Sequence, residues 1–93
     1  MSRFLVEVDH DAEATACVRA VRVFHSSGSH FLTHAMWGCL DGVHSAWIIV
    51  DAESHDEARW VVPPAFRARS RVVCLCEFTV EQMEGLVAHH QHS

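Results

Sequence analysis

Leu40-Asp41-Gly42-Val43-His44-Ser45-Ala46-Trp47-Ile48-Ile49-Val50-Asp51 is the stretch whose reading decides the fold. Asp41-Gly42 is a strong hairpin signal, because a tight turn needs residues at ease with positive φ. The run from Val43 to Asp51 is apolar at its centre without alternation. That is the pattern of a strand covered on both faces, and so central in its sheet. Upstream, His30 to Cys39 reads as the partner arm of the hairpin. Farther back, Phe4, Val6 and Val8 alternate with Leu5, Glu7 and Asp9, giving a strand with one strongly apolar face. Asp9 or Asp11 is a candidate cap for a helix carrying Cys17, Val18, Val21 and Phe24 at helical spacing. Ser26-Ser27-Gly28 closes that helix.

Downstream, Ser54-His55-Asp56-Glu57 has capping-box spacing, with hydroxyl and carboxylate three residues apart. The helix it opens places Ala58, Val61, Val62, Ala65 and Phe66 on one face. Pro63-Pro64 breaks or restarts it, since neither proline donates a backbone hydrogen bond. Val72 to Phe78 reads as a fourth strand. Thr79 to Gln82 is a second capping box, opening a short helix whose buried stripe is Val80, Met83, Leu86 and Val87.

The order strand, helix, strand, strand, helix, strand, helix predicts one α+β domain over residues 1–93. It is ferredoxin-like: βαββαβ, a four-stranded antiparallel sheet in the order 4-1-3-2, two helices on one face and a short C-terminal helix. The other sheet face is left without helices, and a homodimer joined sheet to sheet is the simple way to cover it.

The chain has 93 residues, one domain by length. With 49% hydrophobic and 20% charged residues it is not intrinsically disordered. No apolar run approaches the ~18 residues of a membrane span. The net charge of -5 argues against a general nucleic-acid binder, which must neutralise phosphates. Every basic residue is arginine, and Arg67-x-Arg69-x-Arg71 is a candidate carboxylate or phosphate holder or a plain solvated strand end. Met1-Ser2-Arg3-Phe4 leads straight into the first strand without the layout of a signal peptide, so reduced thiols in the cytoplasm are expected of the four cysteines. His89, His90 and His92 crowd the end as a weak metal-binding or frayed tail.

Nearly the whole chain resembles the dimeric α/β-barrel superfamily in element order and length. Within it, Glu57-Ala58-Arg59-Trp60-Val61-Val62-Pro63-Pro64-Ala65-Phe66 looks like the second helix and proline-containing corner of muconolactone isomerase-like proteins. His34-Ala35-Met36-Trp37-Gly38-Cys39-Leu40-Asp41-Gly42-Val43-His44 looks like a hairpin of short uncharacterised bacterial members. The resemblance implies a homodimer. It does not select a chemistry, since the superfamily hosts isomerases, cofactor-free oxygenases, haem enzymes and metal binders.

The hairpin from His34 to His44 carries the best candidate site, and the leading reading is a homodimer that binds a small molecule or a transition metal there. If Leu40 lies opposite Val43, Cys39 lies opposite His44, with side chains on one face. A thiolate and an imidazole so placed can share Zn, Ni or Cu. His34 has the opposite parity, and a bulge at Gly38 would bring it into the set, making His34, Cys39 and His44 the candidate metal ligands. The alternative is a cofactor-independent isomerase, cyclase or monooxygenase acting on a small aromatic or polyketide-like substrate. His34 or His44 would then be the catalytic proton carrier, with Trp37, Trp47, Trp60 and Phe66 walling the pocket. A structural or regulatory dimer without catalysis is the third reading. Cys74-Leu75-Cys76 places two thiols on one face of a strand, as soft ligands, oxidant sensors or simple core residues.

Overall fold

A computed structural model describes residues 1–91. Residues 92 and 93, and all side chains from 89 onward, lie outside the described residues, and with them the His89, His90 and His92 group. The chain runs β1 (Ser2–Asp9), α1 (Ala14–Ser26), α2 (His30–Thr33), β2 (Met36–Trp37), a 3-10 turn (Cys39–Asp41), β3 (Ser45–Ala52), α3 (His55–Trp60), α4 (Pro64–Arg67), β4 (Ser70–Leu75) and α5 (Val80–Gln91). The class is α+β. The strands lie in the order β2-β3-β1-β4 with every neighbouring pair antiparallel. No helix among the described residues is long and apolar enough to cross a membrane.

The period of two in β1 sets which way the sheet faces. Phe4, Val6 and Val8 are buried, and pairing with β3 sets them beside Val50, Ile48 and Ala46, also buried. Ala20 and Phe24 of α1, Leu32 of α2, Ala58 of α3 and Val62 close over this layer. Phe24 is its centre, fully buried, with its ring 4.9 Å from that of Trp37 and 5.8 Å from that of Phe66. The helix ends follow their caps. Glu57 N donates to Ser54 Oγ at 3.1 Å, and Thr79 and Gln82 cap α5 reciprocally at 3.1 and 2.8 Å.

Several expectations need correction. His30 to Cys39 is not a continuous strand. Ser29 Oγ accepts from Leu32 N, and one helical turn lets Leu32 reach the core, so β2 is cut to two residues. The apolar run in β3 is covered on one face only: Ile48 and Val50 are buried, Trp47 is half-buried and Ile49 is 42% exposed. Neither Asp9 nor Asp11 caps α1. Its N-cap is Glu13, without a side-chain bond, while Asp9 accepts from Ser45 Oγ at 2.7 Å and Asp11 pairs with Arg69 at 2.9 Å. β4 ends at Leu75, not Phe78. The expected buried stripe of α5 is uncovered, with Val80, Met83, Leu86 and Val87 all exposed. The molecule is correspondingly long, with extents of 51 × 28 × 21 Å. Its radius of gyration is 16.3 Å; about 12 Å is usual for this length.

Removing the Phe24 ring leaves a cavity where three aromatic side chains meet. Phe24→Ala is expected to cost about 3–5 kcal/mol in urea unfolding. Leu40→Ala, at a fully exposed tip, should change stability by no more than about 0.5 kcal/mol.

Candidate metal centre

The pairing that builds the sheet also builds the site. Asp9 lies across from Ser45, and Trp37 across from Ala46. One step past the strand ends, His10 N donates to His44 O at 3.1 Å, and Gly38 N donates to Ser45 O at 3.1 Å. The β1–β3 register carried one residue outward sets His10 beside His44, and the 3-10 turn that follows Gly38 brings Cys39 to them. His10 and His44 have the parity of Val8 and Ala46 and so turn to the helix side of the sheet, where the Cys39 sulfur meets His10 Nε2 at 3.2 Å. There α1 lies over them, and its first full turn delivers Cys17, whose N donates to Glu13 O at 3.1 Å.

The four ligand atoms of His10, Cys17, Cys39 and His44 lie within 4.8 Å of one another, the one such group of histidine, cysteine and carboxylate side chains among the described residues. His10 is buried and the other three are half-buried. The proton on His10 Nδ1 is donated to Asp11 O at 2.9 Å, which leaves the Nε2 lone pair facing Cys39 Sγ at 3.2 Å. A backbone carbonyl holding the far nitrogen is the usual means of orienting a metal-binding imidazole. His44 Nδ1 faces Cys17 Sγ at 3.7 Å. Tetrahedral zinc with ordinary bond lengths sets nitrogen and sulfur about 3.6 Å apart, so both nitrogen–sulfur separations are near those of a filled site. Burial, and then the neighbouring Cys17 thiol, push the Cys39 thiol above its ordinary value of 9.0. In the metal-free chain it therefore stays protonated at neutral pH, and binding a cation there must release protons.

Of the sequence candidates, the structure brings Cys39 and His44 together and leaves His34 outside the group. His34 ends α2 on the surface, its ring 4.5 Å from that of His30 and its Nδ1 2.8 Å from His30 O. A bulge at Gly38 does not bring it round, because α2 interrupts the strand and His34 ends that helix. In place of His34 the site has His10 and Cys17. The four aromatic candidates do not wall one pocket. Trp37 and Phe66 flank Phe24; Trp47 lies on the opposite sheet face, donating from Nε1 to Glu7 at 3.0 Å; Trp60 is exposed under the Arg67 guanidinium. The arginine triplet is likewise divided. Arg67 donates to Val62 O and Trp60 O, Arg69 pairs with Asp11, and Arg71 pairs with Glu7.

Gly38 matters through contact. A Cβ there would lie 2.8 Å from the Trp47 ring and 2.8 Å from Val43 O. Only a residue without a side chain lets the hairpin close far enough to hold Cys39 against His10. Comparison of the chain with protein families, curated proteins and solved structures returned no match.

Gly38→Ala is therefore expected to destabilise the fold by about 1–3 kcal/mol through overpacking. It should also weaken binding of Co²⁺, read from the visible absorption of a tetrahedral thiolate-bound ion. Unchanged cobalt affinity would mean that the hairpin contact does not position Cys39.

Proposed function

We propose that this chain is a transition-metal-binding protein that holds Zn²⁺ between His10, Cys17, Cys39 and His44. The convergence of two thiols and two imidazoles within 4.8 Å carries the reading. A tetrahedral set of two sulfurs and two nitrogens is a zinc pattern. Cu and Ni suit the same donors less well in geometry. Because four protein ligands complete the shell, none is left for substrate, and the ion acts as a structural clamp. It joins the end of β1, the start of α1 and the β2–β3 hairpin. A domain of this length buries only about 60–65% of its unfolded surface, so a clamp adds where the core is thin.

Metal-free protein is expected to take up one Zn²⁺ per chain, with affinity rising as pH rises because thiol protons are displaced. At zinc a hundredfold above its Kd the gain is about 2.7 kcal/mol, which corresponds to a rise in Tm of about 10–20 °C. His44→Ala and Cys39→Ser should abolish it. Untagged protein with no affinity for Zn, Ni or Cu in calorimetry would remove the proposal.

We further propose that two copies pair through the helix-free sheet face, on a ferredoxin-like arrangement. Read from the β4 edge, the strands run 4-1-3-2, which supports that arrangement. Ile49, Val73 and Leu75 are exposed on the face opposite the helices, beside half-buried Leu5 and Trp47. The uncovered stripe of α5 adds a second apolar surface on the same chain. Patches of this kind mark interfaces. Light scattering is expected to give a dimer for the native chain and a monomer for Ile49→Asp. A native monomer at micromolar concentration would refute the pairing.

A further inference from the structure

The two sulfurs of the centre differ from its two nitrogens in access. Cys17 and Cys39 line an open apolar groove of about 490 Å³ together with Val18, Val21, Arg22 and Trp37. His10 and His44 do not line it. A small uncharged molecule can therefore reach the thiol side of the cluster along α1 without crossing the imidazoles. The two cysteines come from separate elements: Cys17 from the first turns of α1, and Cys39 from the 3-10 turn that Gly38 and Gly42 bracket. Gly42 has φ of 80°, and the turn is closed by bonds from Gly42 N to Cys39 O and from Val43 N to Gly38 O. With sulfurs already within 4.8 Å, a rotation about the side-chain bonds and a small shift of this turn bring them to the ~2 Å of a disulfide.

We propose that Cys17 and Cys39 form a peroxide-reactive pair whose oxidation to a disulfide expels the metal. The oxidant is hydrogen peroxide. One sulfur attacks a peroxide oxygen as the thiolate, which it is on the metal and becomes in the metal-free chain by losing its proton to mildly alkaline buffer; the O–O bond breaks, and a sulfenic acid and hydroxide result. The second thiolate then attacks that sulfur; the S–S bond forms, the S–O bond breaks, and a second hydroxide leaves. Each sulfur gives up one electron, two protons from solvent convert the hydroxides to water, and the cation departs because a disulfide is a poor ligand. A dithiol reductant together with zinc restores the centre. Cys74 and Cys76 supply a comparison within the molecule. Cys74 is in β4 and Cys76 just beyond it, both exposed; two positions apart on an extended chain, they are poorly placed to bridge each other.

The release of metal rests on the zinc reading above, whereas the disulfide does not, and the test separates them. The full chain, zinc-loaded and metal-free, is treated with hydrogen peroxide. Zinc is followed with a chromogenic chelator, and linked peptides are mapped by mass spectrometry without reduction. The expected result is a Cys17–Cys39 link in both forms, with one zinc released per link formed. A Cys74→Ser/Cys76→Ser variant should respond fully, and Cys17→Ser should give no link. If the chain never takes up zinc, the metal reading falls while the link is still decided in the metal-free form. A link elsewhere, sulfinic acid without a link, or zinc retained after the link forms would overturn the proposal.

Discussion

The antiparallel register between β1 and β3 is the constraint on which the rest of the molecule depends. Asp9 across from Ser45 sets every even-numbered residue of β1, from Phe4 to Val8, against Val50, Ile48 and Ala46 on the buried face. A slip of one residue would turn Phe4, Val6 and Val8 to the face of Trp47 and Ile49 and bring Leu5 and Glu7 inward, leaving the Glu7 carboxylate to be buried. The same step-by-two alternation, continued one position past each strand, turns His10 and His44 inward. The core and the two imidazoles of the cluster thus share one geometric cause, while α1 and the 3-10 turn add the two thiols.

Energetically the cluster stands at the weaker end of the layer. The centre of the sheet is closed by Phe24, Leu32 and Val62, all fully buried. Near the cluster, cover comes from the first turns of α1, where Val18 is half exposed and the N-cap supplies no side-chain bond. Hydrophobic burial holds the middle of the domain, and polar groups with directional bonds hold its rim. The Asp11–Arg69 pair belongs to that rim. By engaging the carboxylate of Asp11 it leaves the main-chain oxygen of the same residue to fix the His10 ring.

Much of this is legible in the chain, and the remainder is hidden for identifiable reasons. The alternation from Phe4 to Val8, the two caps at Ser54 and Thr79 and the interruption at Pro63 all follow from local spacing; Cys39 and His44 do meet, but across a 3-10 turn and not as an opposed strand pair. His10 has the parity of Phe4, Val6 and Val8, and this signal is present in the sequence; it is lost when the strand is ended at Asp9. Cys17 sits at helical spacing with Val21 and Phe24 and so resembles any small core residue. Only the placing of α1 over the sheet distinguishes it. His34 misleads because the stretch from His30 to Thr33 looks like strand, whereas a serine cap at Ser29 and a buried leucine favour one turn of helix. The α5 stripe has the periodicity of a buried face, and periodicity does not say which chain supplies the cover.

The brevity of β2 has its own result. It pairs with β3 only at Trp47 and Ala46, so from Ile48 to Ala52 the outer rim of β3 has unclaimed main-chain donors and acceptors. Such a rim can template a foreign strand, and acidic side chains are a common deterrent. Asp51 and Glu53 stand there, both exposed. Each also pairs with a cation of the neighbouring segment, Asp51 with Arg3 and Glu53 with the Met1 amino group, so the charges that would discourage fibrillar stacking at this rim are the ones that tie it to the start of the chain.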